Sequence, residues 1–343
     1  MARTDCRRAK AGRIPIPMPL LLSEEDVRIV LSMDDLIGTM RTALEQFSMR
    51  AVEQPLRTVI EVGLQKAAFG VMPAYIRDST ALGAKIVTVF NSNAGAGLPT
   101  HLATILLFDS MTGELVAIVD GRFITEARTA AVSAVSTDLL ANKDASVLAV
   151  IGSGVQARSH VDAIRRVRDV HAVRAWSPDP DRLAAFVREM QPRMGANVTG
   201  CASAREAVDG ASIVVLATSA REPVVRSGWI GDGTHVCAVG ACRPDQREMD
   251  TALVARARLF VDSRTGALAE AGDVLLPMGE GAFDETHIAG ELGEVSAGTV
   301  PGRRSAAEVT IFKSLGMAVE DVAAAHLAYE KAAERGLGRG FVL

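Results

Sequence analysis

The 343-residue chain is poor in the features that mark several protein classes. Aromatic residues make up only 4%, which leaves few flat platforms on which nucleic-acid bases could stack. Neither sign of charge is in large excess. The chain has 37 Lys and Arg against 41 Asp and Glu, a formal net charge of −4, so no broad basic surface for phosphate binding is expected. No uninterrupted apolar run exceeds seven residues, far short of the ~20 that span a bilayer. The four cysteines (Cys6, Cys201, Cys237, Cys242) contain no C-x-x-C pair. A disulfide framework is unnecessary at this length, and a reducing cytoplasm is the simplest setting. The six histidines (His101, His160, His171, His235, His287, His326) show no metal-ligand spacing and no H-E-x-x-H. Gly152-Ser153-Gly154 lacks the G-x-S-x-G frame of a nucleophile elbow. These absences argue against metal-dependent and serine hydrolysis, and predict no metal, no nucleic-acid partner and no membrane span.

What the chain does have is apolar material for two cores: 48% of its residues are hydrophobic, and its length suits two domains. Residues 1–21 read as a disordered or extended basic tail. Arg3, Arg7, Arg8, Lys10 and Arg13 face one acid, Asp5, and the prolines that follow break any signal-peptide core. Ser23 and Ser32, each followed by acids, read as helix caps. Alternating patterns then predict strands at Thr58–Val62, 69–72, 84–89, 102–109 and 115–119, an antiparallel meander. An Ala-rich helix is expected from Arg122 to Ala141. From Ser146 the texture changes to short, largely apolar runs (147–151, 172–176, 213–217, 235–239, 259–261) alternating with helical stretches. That is the pattern of a doubly wound parallel sheet buried on both faces. Ala306–Arg335 reads as helical throughout, with no further strand.

One of these runs carries a fingerprint. Gly152-Ser-Gly154-Val155-Gln156-Ala157 is G-x-G-x-x-A between an apolar strand and an amphipathic helix (Ala157, Val161, Ile164). Gly152 permits the tight turn, Gly154 lets backbone approach a pyrophosphate, and Ala157 allows close helix–strand packing. The helix N-terminus then offers N–H groups and partial positive charge to the phosphates. The strand–turn–helix context makes this a dinucleotide site. NAD sites place an acid about twenty residues on, for the ribose diol. Ser177 stands there instead, which favours NADP over NAD. Asp179 reads either as a competing acid or as the cap of the next helix. Arg158 and Arg182 read either as 2′-phosphate contacts or as solvated helix-face arginines.

Other motifs fall in one order: Arg57 after Pro55-Leu56, Gly83-Ala-Lys85, Gly97-Leu-Pro-Thr100, Thr125-Glu-Ala-Arg128, the glycine turn, Val239-Gly240-Ala241-Cys242-Arg-Pro-Asp245, and Phe312-Lys-Ser-Leu-Gly316. From about Leu22 to the C-terminus this resembles the ornithine cyclodeaminase/μ-crystallin family. The resemblance implies an α/β fold in which a Rossmann domain (142–305) is inserted in an α+β substrate-binding and dimerisation domain (22–141 plus 306–343). It also implies a homodimer. By the same resemblance Arg57, Lys85 and Arg128 hold a substrate carboxylate, a task that needs cationic donors and suits the planar fork of arginine in particular. Thr100, Arg128, Val155, Gln156, Thr218, Val239, Gly240, Ala241 and Ser314 contact the cofactor, and Leu315 lies near the substrate. Thr218 reads equally as a strand-end cap, and Ser314 and Leu315 as helix start and core.

The sequence departs from the family where cyclodeaminases carry an aspartate two residues after Val-Gly. Cys242 stands there, a small wall residue or a reactive thiol. An unperturbed thiol, with its pKa near ~8.5, does not replace a carboxylate in moving amine protons at neutral pH. The pattern resembles instead the μ-crystallin branch, whose members reduce cyclic ketimines. The expected activity is NADPH- or NADH-dependent reduction of Δ1-pyrroline-2-carboxylate or Δ1-piperideine-2-carboxylate to L-proline or L-pipecolate. The rivals are an amino-acid dehydrogenase, an ornithine or lysine cyclodeaminase with Asp245 as displaced acid, and a non-catalytic crystallin-like binding protein.

Overall fold

The computed structural model describes residues 18–63, 67–195 and 197–342. Two eight-stranded sheets organise it. The first is built from β1 (Leu20–Leu22), β2 (Val52–Glu53), β3 (Thr58–Val62), β4 (Ala67–Ile76), β5 (Ala81–Val89), β6 (His101–Phe108), β7 (Leu115–Asp120) and a last short strand, Arg339–Gly340. Strands β3 to β7 pair antiparallel in sequence, the expected meander. Of the expected tail, residues 1–17 lie outside the described residues, whereas Leu20–Leu22 is extended and pairs with β7 and with Arg339–Gly340. Ser23 and Ser32 cap helices Glu24–Val30 and Met33–Ser48, each in a reciprocal capping box with the acid three residues on.

The second sheet is parallel throughout. Val147–Ile151, its first strand in the chain, lies between Ala172–Trp176 and Ile213–Leu216, and His235–Ala238 follows outward. These short strands are apolar because helices cover both faces; Ile213–Leu216 and His235–Ala238 are buried at every position. Three strands escape the periodicity reading: Asn197–Gly200, Ile288–Glu291 and Thr310–Lys313. The last corrects the expectation of helix from 306 to 335. Thr310–Lys313 inserts between His235–Ala238 and Arg258–Val261, parallel to both, and the C-terminal helix begins only at Ala318. A four-residue strand buried at every position has no alternation to reveal it. The strand carries the chain straight from the second sheet into a helix that packs on the first.

Two helices join the sheets. Arg122–Leu140 is buried nearly all round, and its small Ala, Ser and Thr side chains admit close neighbours on every side. The C-terminal helix, Ala318–Arg335, covers one face of the first sheet. A single apolar cluster runs from Leu107 and Val119 of that sheet through Val322 and Ala325 to Phe260 and Phe312 of the second.

The two buried histidines inside this junction are hydrogen-bonded at both ring nitrogens. The His160 ring donates its Nδ1–H to the Gln156 carbonyl (2.7 Å), and its Nε2 shares a hydrogen bond with Ser133 Oγ (2.9 Å). That of His235 meets Ser136 Oγ and Thr310 Oγ1. Burial drives both rings toward the neutral form, His160 to about 4 and His235 to about 3, the latter helped by Arg303 and Arg168. In the unfolded chain both bind a proton near the ordinary histidine value, ~6.5. The stability they contribute is therefore complete above pH 6.5 and is lost as pH falls toward 4. Thermal melts should show this loss, and His160→Asn should flatten it by up to about 1.4 kcal/mol per pH unit; a variant slope equal to that of the parent would contradict the assignment.

Candidate active site

The glycine turn follows the apolar strand Val147–Ile151 as expected. Gly152 has φ +118°, and a Cβ there would lie 2.4 Å from the Ala217 carbonyl oxygen, so only glycine fits. Gly154 caps the helix Val155–Ile164 without any side-chain hydrogen bond, and a Cβ on it would meet nothing within 4 Å. The turn is thus an open helix N-terminus with free N–H groups, the arrangement that takes a phosphate. Ala157 is fully buried against the strand. The side-chain oxygen of Gln156 is buried with no partner, an acceptor left over for a bound donor. These residues fit a dinucleotide.

At the end of the next strand, Ser153 Oγ donates to Ser177 Oγ (3.0 Å). Asp179 caps helix Pro180–Met194 through the Arg182 N–H and pairs with the exposed Arg182 side chain. Arg158 is engaged elsewhere: it donates to the Ser153 and Gly154 carbonyls and pairs with Glu189. Of the two arginines considered for a 2′-phosphate, Arg158 is folded back on its own turn.

The loops after Ile213–Leu216 and His235–Ala238 are braced by a residue that the motifs did not flag. Buried Glu248 accepts from Thr218 N–H (2.7 Å) and Thr218 Oγ1 (2.8 Å) with one oxygen. With the other it accepts from Gly240 N–H (2.8 Å) and Ala241 N–H (3.2 Å). Its own N–H donates to Asp273, which pairs with buried Lys313, and Lys313 donates to the Ala241 carbonyl. Burial and the nearby Asp273 raise the Glu248 carboxyl. Burial works against the Lys313 charge, yet Asp273, Cys242 and Glu248 outweigh it and raise the ammonium. Gly240 packs so closely that a Cβ would meet Thr218 O at 2.1 Å. The loop 314–316 is pinned in the same way by Asp262, which accepts from Leu315 and Gly316 N–H at 2.6 and 2.8 Å.

The three expected cations converge. In β5, Lys85, Val87 and Val89 share one face of the sheet by alternation. Val89 lies opposite His101 of β6, and Lys85 opposite Ile105. Toward the C-terminal helix this face is closed, and Lys85 is 2% exposed with its Nζ 2.5 Å from Asp321 Oδ2. Arg128, from helix Arg122–Leu140, gives Nε to Asp321 Oδ1 (2.8 Å) and Nη1 to Glu320 Oε2 (2.6 Å). Arg57 donates Nη2 to the Leu315 and Gly316 carbonyls and pairs through Nε with Glu270 (2.9 Å). Gly316, at φ +77°, leaves room for Arg128: a Cβ there would lie 2.5 Å from its Nη1.

Burial lowers Lys85 to about 8, with Arg128 and Arg57 pushing the same way and Asp321 opposing. His101, next to Thr100, is lowered to about 4 by burial and then by Lys85 and Arg128. Glu320 is raised to about 7 by burial and by Asp262 and Asp321, against Arg128. None of the three cations is without a carboxylate partner, and those partners, Glu320, Asp321 and Glu270, were not foreseen. The one signal available was a pair of adjacent acids inside the apolar run Met317-Ala-Val-Glu-Asp-Val-Ala.

Beyond Lys85 the same sheet face opens into a cleft of about 490 Å³ between the two sheets. Val59, Gly70, Val87 and Val89 line one wall, and Ser219, Gly240 and Cys242 the other, with Arg57 and Glu270 at the rim. Cys242 is partly buried and near the Val239 carbonyl. Asp245 is largely exposed, 3.8 Å from Arg221. Among the described residues no group of acids, histidines and cysteines could hold a metal ion, and no helix is long and apolar enough to cross a membrane.

Comparison with known proteins adds to this geometry. The model of the ornithine cyclodeaminase/mu-crystallin family matches residues 18–336. The ketimine reductase mu-crystallin of Mus musculus is 42% identical over 316 residues, which is 91% of this chain and 97% of that one. The solved structure of Thermococcus litoralis Δ1-pyrroline-2-carboxylate reductase in complex with NADH and L-proline has a TM-score of 0.92 and 42% identity, covering 94% of this chain and 100% of that one. An archaeal alanine dehydrogenase dimer with bound NAD has a TM-score of 0.90 and 30% identity, covering 95% and 99%.

Glu248→Gln puts an amide NH2 where two backbone N–H groups now donate, leaving at least one buried donor unsatisfied. The expected result is a tenfold or greater rise in the Kd for NADH, read by cofactor fluorescence, with unchanged circular dichroism. An unaltered Kd would rule out the bracing role.

Proposed function

The chain belongs to the ornithine cyclodeaminase/mu-crystallin family, and we propose that it reduces small cyclic ketimines, Δ1-pyrroline-2-carboxylate and Δ1-piperideine-2-carboxylate, to L-proline and L-pipecolate with NAD(P)H. The observation that carries this reading is the cluster of Lys85, Arg128 and Arg57, of which Arg57 lines a cleft whose opposite wall is the dinucleotide-type loops, while Val87 and Val89, on the Lys85 face of β5, line the near wall. Its relatives support it: one is a ketimine reductase, and another is a Δ1-pyrroline-2-carboxylate reductase holding NADH and L-proline.

When bound, the nicotinamide supplies the hydride that the imine carbon accepts. With Gly152 shaping the turn, Gly154 and the N–H groups of Val155 and Gln156 would hold the pyrophosphate of a bound dinucleotide, and Gly240 and Ala241 would lie toward its nicotinamide. The protein's own cations do the rest. Arg57, Lys85 and Arg128 fix the substrate carboxylate, with charge-assisted bonds worth ~1.5–3 kcal/mol each, and so orient the imine carbon. Lys85 gives up its proton far more readily than an ordinary lysine, so it serves as a proton source at the imine nitrogen. Cys242 contributes a small wall. In the segment 239–246 no carboxylate lines the cleft, since Asp245 lies outside it; ornithine cyclodeamination is disfavoured for that reason.

Two finer points belong to the same reading. Ser177 in place of an acid leaves a 2′-phosphate unopposed, which favours NADPH. The face of the first sheet opposite Lys85 presents Ile60, Phe69, Val71, Ile86, Leu102 and Leu106, none of them buried, and Ile60 is 57% exposed. An uncovered apolar sheet face of this extent is what a subunit interface requires, and the archaeal alanine dehydrogenase is a dimer. We assign this face to a homodimer contact.

The purified protein should oxidise NADPH with Δ1-pyrroline-2-carboxylate, with kcat/KM higher for NADPH than for NADH. Activity should fall above pH 8 as Lys85 loses the proton it carries below that value. Absence of turnover with any cyclic imine would sink the function, a preference for NADH would reverse the cofactor assignment, and a rate flat to pH 10 would remove Lys85 from it. Sedimentation should give twice the 36.2 kDa chain mass, and Ile60→Glu should give a monomer; a monomeric parent would refute the interface.

A further inference from the structure

Within the proposed site, the cations would not hold their places by themselves. Lys85 and Arg128 sit side by side, buried, with Arg57 close by. Two buried positive charges with a partly exposed third beside them repel one another and favour loss of the most labile proton, which is on Lys85. The opposing charge comes from the C-terminal helix. Its fourth residue, Asp321, is fully buried and spends one oxygen on each cation: Oδ1 on Arg128 Nε at 2.8 Å, Oδ2 on Lys85 Nζ at 2.5 Å.

We propose that Asp321 is the positioning residue of this site, a single carboxylate that locks the Arg128 guanidinium with one oxygen and holds the Lys85 ammonium with the other. The inference rests on the function proposed above.

The surroundings make this bridge rigid and ionised. Asp321 lies in the first turn of an 18-residue helix, where the helix dipole favours negative charge. That helix start is tied down by Gln54, whose oxygen accepts the Val319 N–H at 2.7 Å. The charged and titratable groups around Lys85 are Arg128 on the helix Arg122–Leu140, Arg57, His101 on β6, Glu320 beside Asp321, and Asp262 at the end of Arg258–Val261. Arg128, Arg57 and burial all act against the Lys85 proton, and Asp321 alone is in contact with it and acts for it. Glu320 touches Arg128 but not Lys85, and its second oxygen is buried without a partner.

Donor counting shows what the bridge leaves over. Arg128 has five N–H groups, and Glu320 and Asp321 take two. Lys85 meets Asp321 as an ion pair, with Asp321 Oδ2 making no directed hydrogen bond, so donors remain on both cationic side chains, whose charges Asp321 holds together. That is enough for a bidentate carboxylate and a proton transfer. A positioning role predicts two separable effects: lost geometry raises KM for the carboxylate substrate, and lost charge moves the Lys85 titration.

The test is Asp321→Asn beside Asp321→Glu, in the full chain loaded with NADPH. Labelling the six lysines with 15N reads the Lys85 titration directly, with Lys85→Arg identifying its signal; Δ1-pyrroline-2-carboxylate reduction reads KM and the basic limb. Asp321→Asn should lower the Lys85 midpoint and the basic limb together by a pH unit or more and raise KM at least tenfold. Asp321→Glu, which keeps the charge on a longer arm, should hold the midpoint within half a unit and still raise KM, and it serves alone if the asparagine variant does not fold. A parental midpoint and KM in Asp321→Asn, or a parental KM in Asp321→Glu, overturns the inference. If the parent reduces no imine while Asp321→Asn still shifts the Lys85 midpoint, the proposed function fails and the bridge stands.

Discussion

Burying charge is the constraint around which this molecule is arranged. An arginine and a lysine a few per cent exposed would cost several kcal/mol each if left unpaired, and removing one partner of such a pair costs about 3–5 kcal/mol. The chain meets that demand with Glu320 and Asp321 at the start of the C-terminal helix. The rest follows from getting that helix start to the right place. Thr310–Lys313 runs within the second sheet to its end, and Gly316 turns the chain with a left-handed conformation that also clears Arg128. The helix then lies across the first sheet. The same short segment ties both halves of the cleft to one set of ion pairs.

A second buried network keeps the opposite wall still. Glu248 collects four donors from two loops, and Asp273 and Lys313 fix Glu248 and Ala241 in turn. Asp262 does the same for the loop at 314–316. Each carboxylate is buried and saturated with hydrogen bonds, the condition under which a polar network rigidifies a fold. A hydride transfer gains most from two reactants held at fixed separation. Both walls of the cleft are built for that, one by cations on carboxylates and one by backbone N–H groups on carboxylates.

Much of this was legible in the sequence, for definite reasons. The glycine turn announces itself because only glycine tolerates Gly152's backbone angle and its approach to Ala217. The meander shows through alternation, and the second sheet's central strands through short unbroken apolar runs. The resemblance singles out Arg57, Lys85 and Arg128, which the fold brings close enough to act on one another's charge. What was missed is long-range. Glu248, Asp262 and Glu270 look like ordinary helix-face or loop acids; Glu320 and Asp321 stand out only as adjacent acids inside an apolar run, and nothing in that run names Arg128, nearly two hundred residues away, as their partner. Thr310–Lys313 reads as helix because a four-residue strand with Thr and Lys at its ends offers no period to count.

The central claim is that fixed cations pin a substrate carboxylate beside the dinucleotide loops. A crystal structure of the protein with oxidised cofactor and L-proline tests it most directly. The account predicts the proline carboxylate within hydrogen-bond distance of at least two of Arg57, Lys85 and Arg128, with the amino-acid ring facing Gly240 and Cys242. Proline bound elsewhere, or with its carboxylate turned toward solvent while Lys85 and Arg128 touch only protein, would contradict it.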